Sequence, residues 1–252
     1  MRHVWIHARA HTLQMLRTPY YWGASVMAPV LFFVIFGISN AHLLDTRYGL
    51  GSEYVITPFL LFSTLNVTLL SLAGGIAAER ASPWEARLRL LPVPPVTRFL
   101  GRLLFVLGYT LAAWVPLLVL ATVTTTIRLP LALWPVWIGA VLVGSLPFGL
   151  LGIALGYRLA PQSAAMVANI VFLLMSFAGG LFIPPDQLPP ALASAAPFLP
   201  SHEYLQLVLT AIGRSDRIDA PTWTAALLVG WGLLFLLFAD RSFRRDEGLR
   251  YG

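Results

Sequence analysis

The stretch that decides the fold is Tyr54–Leu104, YVITPFLLFSTLNVTLLSLAGGIAAERASPWEARLRLLPVPPVTRFLGRLL. Its first part, Tyr54–Ala77, carries no charged residue at all. At about 1.5 Å per residue such a run is long enough to cross a hydrocarbon core of about 30 Å. The second part, Ala78–Leu104, concentrates five arginines (Arg80, Arg87, Arg89, Arg98 and Arg102) and four prolines (Pro83, Pro92, Pro94 and Pro95), and leads into a new apolar run. A soluble helical pair would show one apolar stripe per helix. This pattern instead reads as a membrane span, a charged connection and a second span.

Working outward from it, the same pattern repeats. Spans are expected at 21–39, 54–77, 99–126, 131–157, 163–183 and 222–239. Tyr20, Tyr21 and Trp22 suit the headgroup belt at the start of the first. Pro29, Pro58 and Pro116 lie within spans one to three, and Pro29 is expected to kink its helix. Gly139, Gly144, Gly149, Gly152 and Gly156 give the fourth span a smooth surface for close packing. Residues 127–130 and 158–162 are too short to be more than turns. In the connection 184–221, Leu188–Leu199 is apolar but only a dozen residues long and bounded by prolines, which suits a re-entrant hairpin rather than a crossing. The composition agrees: 58% of residues are hydrophobic and 11% charged, against about a quarter charged in soluble domains. The expectation is an all-α polytopic membrane protein of six spans, forming one domain over residues 1–252 without an internal repeat.

Residues 1–20 are expected to lie in the interface. Within them Val4–Arg17 is amphipathic, with Trp5, Ala8, Thr12, Leu13 and Leu16 at helical spacing. Arg2, Arg9 and Arg17 run through this segment rather than preceding an apolar core, so a signal peptide is not expected. His3, His7 and His11 recur at i, i+4, i+8, but no carboxylate or cysteine stands near enough to complete a metal site. A polar interfacial face is the better reading. With both termini in the cytoplasm, thirteen arginines fall inside and only Arg47, Arg128, Arg214 and Arg217 outside. That bias sets the expected orientation, N-in and C-in, and explains the net charge of +6 without nucleic acid.

Several chemistries are excluded or unsupported. There is no cysteine, and all 17 basic residues are arginine. The phosphate-binding loop G-x-x-x-x-G-K-[ST] needs a lysine and therefore has no place here. The expected spans contain no acidic residue short of the boundary residues Glu79 and Asp240. That leaves no carboxylate pair for intramembrane hydrolysis and no mid-depth ionisable residue of the kind that drives coupled carriers. His202 and Glu203 lack further ligands. The energy source is therefore expected on a partner. The candidate grip for it is the arginine-rich connection, where Trp84, Leu88 and Leu91 fall at i, i+4, i+7. Ser82 and Glu85 have the spacing of a capping box, and Pro92, Pro94 and Pro95 stop the helix. A linker lying on anionic headgroups is the alternative. Asn66, near mid-span, is expected to face a neighbouring helix or the transported molecule rather than lipid.

Two stretches in this order resemble the membrane subunits of ABC-2-type exporters of the ATP-binding cassette superfamily. The first is Glu79-Arg80, a short helix at Trp84–Leu91, and Pro92-Val93-Pro94 leading into the third span. It departs from the family's E-R-x-x-G-T pattern by having Ser82-Pro83-Trp84. The second is Ser176–Leu209, with Gly179, Gly180, Pro184, Leu188, Pro189, Phe198, Leu199 and Pro200 matching the family's exit from the fifth span. The resemblance covers nearly the whole chain. It implies a non-catalytic permease subunit of a multidrug-type exporter in a prokaryotic plasma membrane, paired with a second permease. A separate subunit would bind ATP and Mg, and this chain would hold no cofactor. Glu79, Arg80, Trp84, Glu85, Arg87, Leu88, Leu91 and Pro92 would couple to that subunit. By position on spans one, two and five, Met27, Asn66, Met166, Asn169 and Phe172 are candidates for the translocation path, with helix packing the other reading for each. Amphiphilic drugs or lipid-like molecules are the expected cargo. A polysaccharide or lipid-linked glycan is the alternative, disfavoured because Phe172, Phe177 and Phe182 do not share one helical face. A partner-free scaffold or channel is the alternative of another class.

Overall fold

The computed structural model of the chain describes residues 19–38, 51–82, 95–125, 129–183, 188–215 and 221–251. Among them every regular element is a helix. In chain order these are α1 (Pro19–Phe32, continued by a π-helical turn over Phe33–Ile38), α2 (Gly51–Ala81), α3 (Pro95–Thr124), α4 (Trp134–Gly144), α5 (Leu146–Arg158), α6 (Pro161–Ala178), α7 (Pro190–Ala195), α8 (Pro200–Ala211) and α9 (Pro221–Tyr251). Five helical stretches are long and apolar enough to cross a membrane: Glu53–Ala81, Leu104–Thr124, Leu131–Arg158, Pro161–Ala178 and Thr222–Asp246. A shorter apolar helix, Val26–Ile38, stands where the first span is expected. The protein is an all-α polytopic membrane protein.

The second span is the axis of the bundle. In its most apolar stretch 83% of the residues are buried, against 22% in α6 and α9, and it packs against α1, α3, α5, α6 and α8. Two threonines explain how one apolar helix specifies its neighbours. Thr57 and Thr64, two turns apart, each donate the hydroxyl to the carbonyl four residues back, at 2.6 Å and 2.7 Å. Their oxygens then accept the indole N–H of Trp137 from α4 and of Trp114 from α3, both at 3.1 Å. Inside a bundle these polar contacts fix register where apolar packing alone is tolerant of sliding. On another side, Gly152 and Gly156 of α5 let the two backbones close up. A Cβ on Gly156 would lie 2.8 Å from Ile76 Cβ, and one on Gly152 3.1 Å from the Leu69 carbonyl. Gly139, expected to serve the same purpose, has open space beside it.

Four differences from the expected layout have local causes. The fourth span is two helices, α4 and α5, because Pro147 cannot donate to the ladder and Ser145 turns the chain, its hydroxyl donating to the Leu142 carbonyl at 2.7 Å. The fifth span ends at Ala178, before the turn formed by Gly179 and Gly180, the latter at φ 78°. The last helix does not stop at Ala239 but runs on to Tyr251. Finally, Glu53, set outside the second span on sequence, lies inside α2 and is fully buried, with Arg214 3.8 Å away.

The connection between the fifth and last spans folds back into the molecule. Gly179 has no room for a side chain: a Cβ would meet Ser201 Oγ at 2.1 Å and the Met175 carbonyl at 2.7 Å. Into that gap comes the first turn of α8, where Ser201 donates to the Met175 carbonyl at 2.6 Å and His202 Nδ1 sits 3.2 Å from the Gly179 carbonyl. One turn further, Tyr204 is wholly buried, its ring against Gly144 and its hydroxyl donating to the Val141 carbonyl at 2.6 Å. Pro200 through Gln206 are all buried. The helix then ends at Gly213, φ 67°, with the Arg214 N–H returning to the Leu209 carbonyl.

Candidate functional site

At the arginine-rich end, the last two turns of α2 carry neighbouring charges that point to different helices. Glu79 pairs with Arg102 of α3. Arg80 turns the other way. Its Nε donates to Asp246 Oδ1 of α9 at 3.0 Å, and Nη2 reaches the same oxygen. Its Nη1 donates to the carbonyls of Gly156 (2.8 Å) and Leu159 (3.2 Å), at the end of α5. The guanidinium also lies 5.9 Å from the centre of the Tyr157 ring, which meets Phe243 edge-on at 5.1 Å. Cations favour helix C-termini because unsatisfied carbonyls gather there. Arg80 uses that rule from outside the helix it caps. Its fork of rigid donors spans three groups at once, as a lysine ammonium would not.

One acidic–basic dipeptide thus joins α2 to α3, α5 and α9 at the end of α2. The segment that follows in the sequence, with Trp84, Glu85, Arg87, Leu88, Leu91 and Pro92, lies outside the described residues, as do His3, His7, His11 and Pro184. Asp246 was not singled out from sequence, because the last span was ended at Ala239. A signal was present: Phe235, Ala239, Ser242 and Asp246 follow at intervals of four, three and four, and all four are buried against the bundle. The tail continues the buried stripe of the span.

The candidates for a translocation path divide into two groups. Met27 on α1, and Met166 and Asn169 on α6, are exposed. Leu31, Val34 and Ile35 of the first span share that exposure, as do Ile170, Leu174 and Phe177 of α6. Asn66 and Phe172 instead face inward. Asn66 is buried beside Val67, and its Oδ1 accepts no hydrogen bond among the described residues; Ser63 Oγ on the same helix and Thr110 Oγ1 on α3 likewise have no hydrogen-bond partner there. Phe172 is packed on Phe62 at 4.5 Å.

Sequence reasoning separated Phe172, Phe177 and Phe182 by helical angle. Because α6 ends at Ala178 and Gly180 reverses the chain, Phe182 returns into the bundle. There it contacts Phe32 (4.7 Å), Phe62 (4.7 Å) and Phe177 (4.9 Å). Phe36 and Phe59 complete this cluster at 6.0 Å each. The rings are mostly spent on one another, and Phe177 is the member most open to the surface.

Residues 38–239 match the family described as ABC-2 family transporter protein. The chain belongs to that ABC-2 family. Among relatives, "Putative transport permease YvfS" of Bacillus subtilis (strain 168) is 25% identical over 247 residues, covering 95% of this chain and 96% of its own length. ABC-2 proteins are the membrane components of ATP-binding cassette transporters and do not themselves carry out the catalysis. Membership implies an ATP-binding partner subunit in general. Within this ABC-2 chain, the glycine exit of the fifth span and the Glu79-Arg80 pair both fall where helices converge.

Proposed function

We propose that the chain is the permease half of an ATP-driven exporter that carries amphiphilic drugs or lipid-like molecules out of the cytoplasm or the inner leaflet. It works paired with a second permease, in a prokaryotic plasma membrane with both termini inside. ATP and Mg are held by a separate subunit that grips the connection following Arg80. The observation that carries the cargo and pairing reading is the exposed side of the first span and of α6, two segments that meet at Phe32 and Phe177. It is apolar at Met27, Leu31, Ile35, Met166, Ile170, Leu174 and Phe177, and it contains the amide of Asn169. An amide facing lipid alone would lose its hydrogen bonds at a cost of about 2 kcal/mol or more. Facing a second permease or a passing amphiphile, it keeps a partner while the apolar residues solvate the rest.

The aromatic cluster does not favour a glycan channel. Stacking on sugar rings needs open aromatic faces, and Phe172 and Phe182 are only 2% and 5% exposed. The test is uptake of a fluorescent bisbenzimide dye into inverted vesicles holding the chain and its ATPase. The reading expects ATP-dependent uptake that Asn169→Leu reduces by about tenfold, a coupling of the usual size. Export of a glycan with no movement of the dye would overturn the cargo assignment.

A further inference from the structure

We propose that Asp246, on the extension of the last helix beyond its apolar run, is a positioning residue of the coupling junction. Through Arg80 it makes that extension one rigid body with the end of α2. The proposal rests on the reading that force enters from an ATPase through the connection after Arg80.

Asp246 is 5% exposed although it lies seven residues past Ala239, where the uninterrupted apolar run of the last span ends. A carboxylate is rarely buried unless it is paired. Its partner Arg80 is 20% exposed and has every arm of the guanidinium engaged: Nε and Nη2 on Asp246, and Nη1 on the Gly156 and Leu159 carbonyls. Below the guanidinium lies Tyr157, and against that ring lies Phe243, three residues before Asp246. Nearby Arg158 stands 5.6 Å over Phe238, so the same two helices are clasped again one turn along. By contrast Asp240, Arg241, Arg244 and Arg245 are exposed, and Asp240 pairs with Arg244 on its own helix. The extension therefore has a solvent face and a locked face, and Asp246 is the charged point of the lock.

The mechanical consequence follows from geometry. A displacement of the connection pulls first on Ala81 and Arg80. If Arg80 were free, α2 alone would bend. Held as it is, the pull is shared at once by the ends of α5 and α9, and Glu79 carries it to α3 through Arg102. Losing Asp246 leaves Arg80 capping α5 but removes the charged link between the end of α2 and the extension of α9.

The experiment uses the whole chain purified with its ATPase. Because the protein has no cysteine, nitroxide labels at Ala81→Cys and Arg245→Cys report the distance between the end of α2 and the extension without background. Both positions are exposed. The expected result is one narrow distance, the same without nucleotide and with ATP and vanadate trapped. Asp246→Asn keeps the shape but removes the charge. It should broaden that distance and lower dye moved per ATP hydrolysed by about tenfold. Asp246→Glu should restore most of the ratio, and the control Asp240→Asn should leave it unchanged. If Asp246→Asn fails to fold, Tyr157→Leu, which removes the ring beneath Arg80, should lower the same ratio by about threefold. A distance that changes between the two states in the natural sequence overturns the proposal, as does an unaltered ratio in Asp246→Asn or Tyr157→Leu. Failure of the natural sequence to bring down any ATPase overturns the parent reading, and this one with it.

Discussion

Glycines show most clearly how much chemistry is written at single positions. Sequence alone marked five glycines of the fourth span as a packing surface. The structure assigns that work to Gly149, Gly152 and Gly156 facing α2, gives Gly144 to the Tyr204 ring and leaves Gly139 beside open space. The difference arises because glycine spacing reveals a smooth face but not which neighbour uses it. Gly156→Ala must push Ile76 or the Ala73 carbonyl aside. It is expected to destabilise the detergent-solubilised protein by about 1–3 kcal/mol, seen as a lower melting temperature, whereas Gly139→Ala should leave that temperature unchanged. His202 and Glu203 were legible only as a polar pair in a loop. They are buried because Pro200 starts a helix that returns inward, and nothing local in the sequence announces that depth.

Among the elements, α8 was not legible as the inward segment. The stretch expected to be re-entrant, Leu188–Leu199, is α7 and the turn after it, with Leu192 and Phe198 exposed, and it is the following helix, Pro200–Ala211, that is buried. The seat of α8 against α2, α4, α6 and α9 depends on long-range contacts at Gly179 and Gly144. Tyr204 is the anchor of the seat. Tyr204→Phe keeps the ring but leaves the Val141 carbonyl without its hydroxyl donor. The expected cost is about 1–2 kcal/mol, measurable as earlier thermal unfolding. The interruption of the fourth span was present in the sequence as Pro147, whose missing N–H breaks the helix ladder, but the surrounding apolar run concealed it. The last helix shows the opposite error. The charged tail reads as leaving the structure, while the stripe Phe235, Ala239, Ser242, Asp246 keeps it packed.

At the scale of the molecule, the class was legible because uncharged runs of crossing length leave few architectures open, and the family through the resemblance of Glu79–Pro94 and Ser176–Leu209 to ABC-2 exporters. The central position of α2 was not, although its cause lies in the sequence: Thr57, Thr64 and the Glu79-Arg80 pair give one helix specific polar contacts to four others. The same arrangement explains why the arginine-rich connection can matter to the whole bundle. It leaves the one helix that touches nearly everything else. The central claim, that a separate ATPase drives this bundle through that connection, is tested most directly by extracting the tagged full chain from its own membrane and assaying what accompanies it. The account predicts a soluble ATP-binding subunit that stays bound through purification, with vanadate-sensitive ATP hydrolysis, and its loss from the complex when Trp84→Arg is introduced. A chain that elutes without such a subunit and conducts or assembles alone in liposomes would contradict it.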